Sequence, residues 1–387
     1  MSPTQLPQGF RAYVANIGIK DDTSDFVVVA ADAPCAASGL FTKSSFAGPS
    51  VVVSRNHVAN HLAQTVVVIS KNANVATGDQ GMANTHEIVS AVASAVGCAT
   101  QDVLIASTGV IGRQYPMDQV RMGLRSIPSM LTTNDAALVA TAMMTTDTVM
   151  KIASANVDGS RATVVGVAKG VGMIEPDMAT MITLLFTDAE VSCTDLDRIF
   201  RGVIDKTFNC VSIDTDTSTS DTAIILASAV AGEVDLGELE RAIHAVALSL
   251  TKQVARDGEG AETLIEVVVD SAATPEQAKR VAKAIVNSPL VKTAVHGADP
   301  NWGRIAMAIG KVTTADEIDQ QRVTIRFGGQ EVYPTALGDH DLQRLAEYMS
   351  SDNVTIHVSL NVGTDEATVW GCDLTNGYIR INADYTT

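Results

Sequence analysis

The stretch Lys169–Ala189 reads KGVGMIEPDMATMITLLFTDA. Its second half, Met181 to Phe186, is an apolar run without alternation, the pattern of a strand buried on both faces. Its first half sets Gly170, Gly172 and Pro176 ahead of Ala179-Thr180, so an irregular turn feeds that strand. Thr180 stands at the junction. A hydroxyl there is carried by a rigid element and can still face a pocket.

A threonine hydroxyl is a poor nucleophile without an adjacent base. One route is to make the threonine N-terminal, so that its own α-amine, with a pKa of about 7.7–8.0, serves. An internal threonine reaches that state if its hydroxyl attacks the preceding carbonyl. The amide becomes an ester, and water then frees a new N-terminus. Ala179 is small enough to leave its carbonyl approachable. By spacing alone, however, Ala179-Thr180 is first of all a packing pair at a strand edge, because Ala-Thr pairs are common.

Outward from this stretch, Val-rich runs bounded by turn residues predict strands at 26–30, 50–53, 65–69, 103–106, 162–168, 224–228, 264–269, 323–327 and 354–360. Apolar residues at helical spacing predict helices at 85–96, 117–124, 136–144, 195–204 (capped by Thr194), 239–254 and 275–286. KNANVATG (71–78) and SIDTDTSTSDT (212–222) read as polar but ordered loops, and 287–305 is dense in polar groups and glycine. Hairpins and helices are interspersed without strict βα alternation, so the fold class expected is α+β.

The chain has 387 residues, enough for two domains or one large composite. Lys plus Arg is 27 against 44 Asp plus Glu, a balance of -17, which argues against a general nucleic-acid groove or a surface for anionic membranes. No apolar run approaches the roughly 20 residues that span a bilayer, and MSPTQLPQGF is not a signal peptide. Five scattered cysteines without CxxC fit reduced thiols, and the expected location is the cytoplasm.

Ala106 to Gly112, ASTGVIG, ends a strand in Thr108-Gly109. The Thr108 hydroxyl and the Gly109 N–H suit a developing oxyanion, though a plain structural turn has the same look. Neither GxGxxG nor GxxxxGK[ST] is present, so no nucleotide cofactor is called for. His296 with Asp299, and His340 between Asp339 and Asp341, match no zinc spacing and read as capping or loop groups. Asp214 to Asp221 lacks the glycine and glutamate of a calcium loop.

The whole set of blocks is similar to one known family. KGVGMIEPDMATM resembles the signature of the ornithine acetyltransferases, and KNANVATG, STGVIG, MTTDT, DTDTSTSDT, DGEGAETLIEV, NSPLVKTAVHGADPNWGRIAMAIGK and GCDLTNGYIRINADYTT resemble family blocks in family order. The resemblance implies an N-terminal-nucleophile-like layered fold and a precursor that cuts itself between Ala179 and Thr180. The α piece is then residues 1–179 and the β piece 180–387, assembled as α2β2.

It implies that Thr180 accepts the acetyl group, that Thr108 and Gly109 form the oxyanion hole, and that Thr146, Lys169, Thr180, Glu259, Asn382 and Thr387 contact substrate, with Thr145 and Thr148 as alternatives to Thr146. The implied reaction moves the acetyl group of N2-acetyl-L-ornithine to L-glutamate without metal or cofactor; a self-cutting amidase or aminopeptidase is the rival. Where many arginine-pathway members carry His-Pro-Asn, this chain has Glu175, Pro176 and Asp177. That variation looks closer to the members of clavulanic-acid clusters, which keep the same acetyl transfer, so the resemblance speaks to the reaction and leaves open the pathway and the use of acetyl-CoA.

Overall fold

The computed structural model describes residues 5–20, 22–175, 181–335 and 337–384. Ala179, Thr180 and Thr387 therefore lie outside the described residues. The chain divides into two compact units, Met1–Asn209 with Asp216–Leu250, and Cys210–Thr215 with Thr251–Thr387. The division does not fall at residues 179 and 180.

The first unit is built on eight strands: β1 (Phe10–Ala15), β2 (Phe26–Phe41), β3 (Leu62–Ile69), β4 (Val103–Ser107), β5 (Lys151–Asn156), β6 (Thr163–Lys169), β7 (Ile182–Glu190) and β8 (Thr222–Glu233). They form one sheet in the order β4-β3-β2-β8-β7-β6-β5, with β1 added to β2. β3 with β4 and β7 with β8 are parallel pairs; the other pairs are antiparallel. β7, the apolar run of the opening stretch, is buried at every residue but Glu190.

Strand alternation sorts the side chains into two layers. Val27, Val29, Val66, Val68, Leu104, Val165 and Val167 share one cluster with Ala136, Val139, Ala140 and Met143 of a short helix. Val28, Val67, Ile69 and Ile105 share the other with Ile88, Val89, Val92, Val120 and Leu124. Gly166 leaves room for Val246 and Leu250, whose side chains would lie 2.7 and 2.8 Å from a Cβ there.

The helices of this unit are α1 (Pro49–His57), α2 (Gly78–Val96), α3 (Met117–Leu124), α4 (Ala136–Met143) and α5 (Cys193–Lys206). α6 (Leu236–Arg256) begins in it. Two expectations are corrected. The run predicted as a strand at 50–53 is part of α1, because Pro49 opens a helical turn and Ser50, Val51, Val53 and Ser54 make one buried helical face. Ser54 Oγ both accepts from Ile105 N–H (2.6 Å) and donates to Ile105 O (2.7 Å), so two serines counted as polar belong to the core side. The cap of α5 is Ser192, whose hydroxyl accepts from Asp195 N–H at 3.1 Å, and not Thr194.

The second unit holds β9 (Leu264–Ala272), β10 (Thr324–Phe327), β11 (Gln330–Tyr333), β12 (Asn353–Ser359) and β13 (Asp365–Cys372), ordered β11-β10-β12-β9-β13. Its helices are α7 (Pro275–Val286), α8 (Pro289–His296), α9 (Trp302–Gly310), α10 (Asp339–Met349) and α11 (Asn376–Asp384). The polar, glycine-dense block 287–305 resolves into α8 and α9, capped by Ser288 and Asn301. Mixed sheets with helices packed on them make the fold α+β.

Candidate active site

β4 delivers Ser107 to the end of the sheet, and that end is pinned. Ser107 Oγ lies 2.7 Å from Ser50 Oγ and 2.5 Å from Tyr115 Oη, all buried, and burial pushes the Tyr115 phenol up to about 12. The next residues interlock with the 71–78 loop. Thr108 N–H donates to Ile69 O (3.0 Å), Val110 N–H to Lys71 O (3.3 Å), Ala73 N–H to Val110 O (3.0 Å) and Gly112 N–H to Val75 O (2.9 Å).

Gly109 has φ +130°, and a Cβ on it would stand 2.2 Å from the Lys71 carbonyl carbon. Only glycine fits that approach. Its N–H is given to no acceptor among the described residues, and the residue is exposed. Beside it the Thr108 hydroxyl is buried and accepts from Lys169 Nζ at 3.2 Å. A hydroxyl and an uncommitted N–H on a rigid turn are what a developing oxyanion requires.

Lys169 is the last residue of β6 and is 5% exposed. It belongs to a buried charge cluster that sequence reasoning missed. Asp147 Oδ1 accepts from Lys151 Nζ (2.7 Å) and from Gly170 N–H (2.7 Å), and Oδ2 accepts from Thr145 N–H (3.0 Å). Burial raises the Asp147 pKa, but the ammonium groups of Lys169 and Lys151 outweigh it and hold the carboxyl at about 2. Two cations thus act on one carboxylate, and the Lys169 ammonium acts on the Asp221 carboxyl as well. Thr146 is exposed, while Thr145 is half-buried and tied to Asp147. The signal for Asp147 and Lys151 was their i,i+4 spacing beside a strand; a charge in a hydroxyl-rich loop reads first as solvated.

The stretch after β6 is anchored where it is described. Gly170 has φ +152°, Val171 and Ile174 are buried, and Glu175 N–H donates to Asp216 O at 3.0 Å. On the far side Met181 N–H donates to Asp221 Oδ1 at 2.8 Å, and Met181 O accepts from Thr222 N–H at 3.0 Å. β6 and β7 are neighbours, with Lys169 opposite Ile182. The anchored ends bracket Ala179 and Thr180.

In the second unit Glu259 Oε2 accepts from Asn382 Nδ2 at 2.9 Å, so the structure brings these two expected substrate contacts together. The pairing depends on close backbone approach. Gly260 has φ +67°, and a Cβ there would come within 2.3 Å of Tyr378 N. Thr375 Oγ1 donates to Gly260 O (2.6 Å) and accepts from Gly377 N–H (2.9 Å), which seats α11 on the DGEG turn.

His296 finds Asp373 rather than Asp299, with Nδ1 to Oδ2 at 3.1 Å. Glu262, His296 and Asp373 offer ligand atoms within 4.8 Å of one another. Asp373 Oδ1 already accepts from the N–H groups of Glu262 (2.9 Å) and Thr263 (3.0 Å), so this trio reads as a structural tie. His340 lies in the first turn of α10.

The chain is similar to known proteins along its whole length. The chain is 56% identical over 387 residues to the arginine biosynthesis bifunctional protein ArgJ 2 of Nostoc sp., covering all of both. It is 54% identical over 392 residues to the glutamate N-acetyltransferase Oat2 of Streptomyces clavuligerus, covering 100% of this chain and 99% of that one. A crystal structure of the arginine biosynthesis bifunctional protein argJ from Bacillus halodurans is 38% identical, covers 51% of this chain and 96% of its own, and superposes with a TM-score of 0.48. The ArgJ family model matches residues 11–387, and the chain belongs to the ArgJ family.

Proposed function

We propose that this protein is a glutamate N-acetyltransferase that moves the acetyl group of N2-acetyl-L-ornithine to L-glutamate in arginine biosynthesis. The full-length match to a glutamate N-acetyltransferase supports the reaction. The observation that carries the mechanism is the junction of Thr108 Oγ1 with Lys169 Nζ, 3.2 Å apart, beside the uncommitted Gly109 N–H.

In this reading the precursor cuts itself at Ala179-Thr180, and the pieces are residues 1–179 and 180–387. They remain together because β7 is paired with β6 on one side and β8 on the other, so the sheet spans the cut. Thr180 Oγ then attacks the acetamide carbonyl of acetyl-ornithine, with the new α-amine as base. Thr108 Oγ and Gly109 N–H hold the oxyanion; loss of one such donor lowers turnover by about 10²–10³. The C–N bond breaks, ornithine takes the proton and leaves, and the amine of glutamate attacks the acetyl-threonine ester.

Lys169 is assigned a substrate carboxylate and Glu259 the amine end of ornithine, with Thr146, Asn382 and Thr387 as further contacts. The assembly assigned is α2β2. A cytoplasmic setting is supported by five free cysteines, with the Cys35 thiol pushed by burial up to about 12. Among the described residues no helix is long and apolar enough to cross a membrane. The clavulanic-acid association rests on NANVATG and STGVIGRQYP beside the Glu175-Pro176-Asp177 variation, and the arginine-biosynthesis name of the Nostoc relative supports the arginine assignment.

The test is an assay with N-acetyl-ornithine, with and without glutamate. Sustained ornithine release that requires glutamate is the result expected. Release at the same rate without an acceptor identifies an amidase and refutes the transfer reading.

A further inference from the structure

Lys292 and His296 stand four residues apart on α8, so they share one face of that helix. That face grips the end of β13. The buried Lys292 ammonium donates to Cys372 O. His296 Nδ1 pairs with Asp373 Oδ2 at 3.1 Å, and the exposed Glu262 Oε2 stands farther off at 3.7 Å. Asp373 is 3% exposed and joins three pieces of chain. Its Oδ1 accepts the Glu262 and Thr263 N–H groups, and its own N–H donates to Thr263 O at 3.1 Å.

The segment tied in this way carries Glu259. Gly258 lies flush against β13, where a Cβ would stand 2.6 Å from Cys372 Sγ. Ala261 N–H donates to Gly258 O at 2.8 Å and closes the turn. Gly260 is held from the other side by Thr375 Oγ1 and by the close approach of Tyr378 N. Both neighbours of Glu259 therefore rest on residues 372–378. Asn382, which donates to Glu259 Oε2, follows on the same segment. Among the described residues neither Lys292 nor His296 hydrogen-bonds to Glu259 or Asn382. Removing the His296 nitrogen takes a donor from a buried carboxylate, and the bonds Asp373 makes to 262–263 are then the ones that adjust.

We propose that His296, acting through Asp373, is a positioning residue for the amine end of ornithine. α8 holds the 372–378 segment, and that segment holds Glu259 and Asn382 in register. The inference rests on the assignment of Glu259 to that amine. Glutamate carries a carboxylate where ornithine carries the amine, so Glu259 offers it no attraction. The tie therefore acts on one half-reaction and spares the other. Linkage runs both ways: a contact that favours ornithine binding is itself favoured by bound ornithine.

The experiment is steady-state kinetics on the purified enzyme, because in ping-pong chemistry kcat/KM for each substrate reports its own half-reaction. His296→Leu removes the ring nitrogen and should lower kcat/KM for acetyl-ornithine about 10-fold, the worth of one charge-assisted hydrogen bond. The value for glutamate should stay within about twofold. His296→Gln restores a donor and should recover most of the loss. In a Glu259→Gln background His296→Leu should add nothing, since it acts through that carboxylate. An unaffected acetyl-ornithine value, or equal losses for both substrates, overturns the proposal.

Independently of how the variant folds, hydrogen exchange across residues 257–263 of the wild type should slow when ornithine is added. Exchange that ornithine leaves unaltered, or that glutamate slows equally, overturns it as well. Glu259→Gln with full activity toward acetyl-ornithine removes the assignment of Glu259 and this inference together. Loss of that activity in Glu259→Gln but not in His296→Leu removes this inference alone.

Discussion

Asp147 and Asp221 are both buried carboxylates of the eight-stranded unit, and their surroundings drive them in opposite directions. Asp147 lies among two lysines and four donated hydrogen bonds and is held at about 2. Asp221 receives one backbone N–H on Oδ1 and is driven upward by burial, against Met181 N–H, the Thr42 and Ser218 hydroxyls and the Lys169 ammonium. Burial penalises both charges; the difference is the neighbours. A carboxylate saturated with donors and cations is held ionised, while a buried one with fewer donors keeps its proton to higher pH. Acid–base roles separate in this way wherever paired environments move two like groups apart.

The largest effect should follow from breaking the saturated side. Asp147→Ala leaves Lys151, fully buried, without its carboxylate and removes the anchor of Gly170 N–H. Loss of one partner of a buried pair costs roughly 3–5 kcal/mol, which chemical denaturation will read as a matching drop in stability. An unchanged midpoint would show that Lys151 finds other compensation.

Acid titration sharpens the same contrast. The Asp147 pKa is depressed in the folded state, so its contribution is present above the unfolded value and is lost as pH falls toward about 2. The shift corresponds to about 2–3 kcal/mol. Stability measured from pH 5 down to pH 2 should fall, and the fall should shrink in Asp147→Asn.

Asp221 has the opposite sign. Its folded pKa is raised, so the native state keeps a proton that the unfolded chain loses, and stability declines as pH rises above the unfolded value. Asp221→Asn should therefore be neutral to stabilising at pH 7, by up to about 1–2 kcal/mol. A strongly destabilised Asp221→Asn would mean that both carboxylates are scaffolds. The smallest effect belongs to Asn382→Ala, which deletes two exposed hydrogen bonds, to Glu259 Oε2 and to Tyr378 O. Stability should change by less than about 1 kcal/mol, and a measurable effect should appear in KM for acetyl-ornithine.

The elements with long period were readable in advance. β7 follows from an apolar run without alternation, and α2, α5 and α7 from stripes that the structure buries. α1 was hidden because three valines outweigh two buried serines in any propensity sum. α8 and α9 were hidden because their caps, Ser288 and Asn301, sit in a block of glycine and proline that reads as loop. In the site, Thr108-Gly109 was visible as a strand ending in a hydroxyl and a glycine. Asp147, Lys151 and Asp221 were not. Acidic residues in hydroxyl-rich loops look solvated, and only tertiary packing decides which of them is buried.

The most direct measurement is the intact mass of the purified protein before and after exposure to N-acetyl-ornithine in the absence of glutamate. The account predicts two chains, one ending at Ala179 and one beginning at Thr180, with a single acetyl group gained by the second and removed when glutamate is added. One uncut chain of 387 residues, or an acetyl group carried anywhere but Thr180, would contradict it.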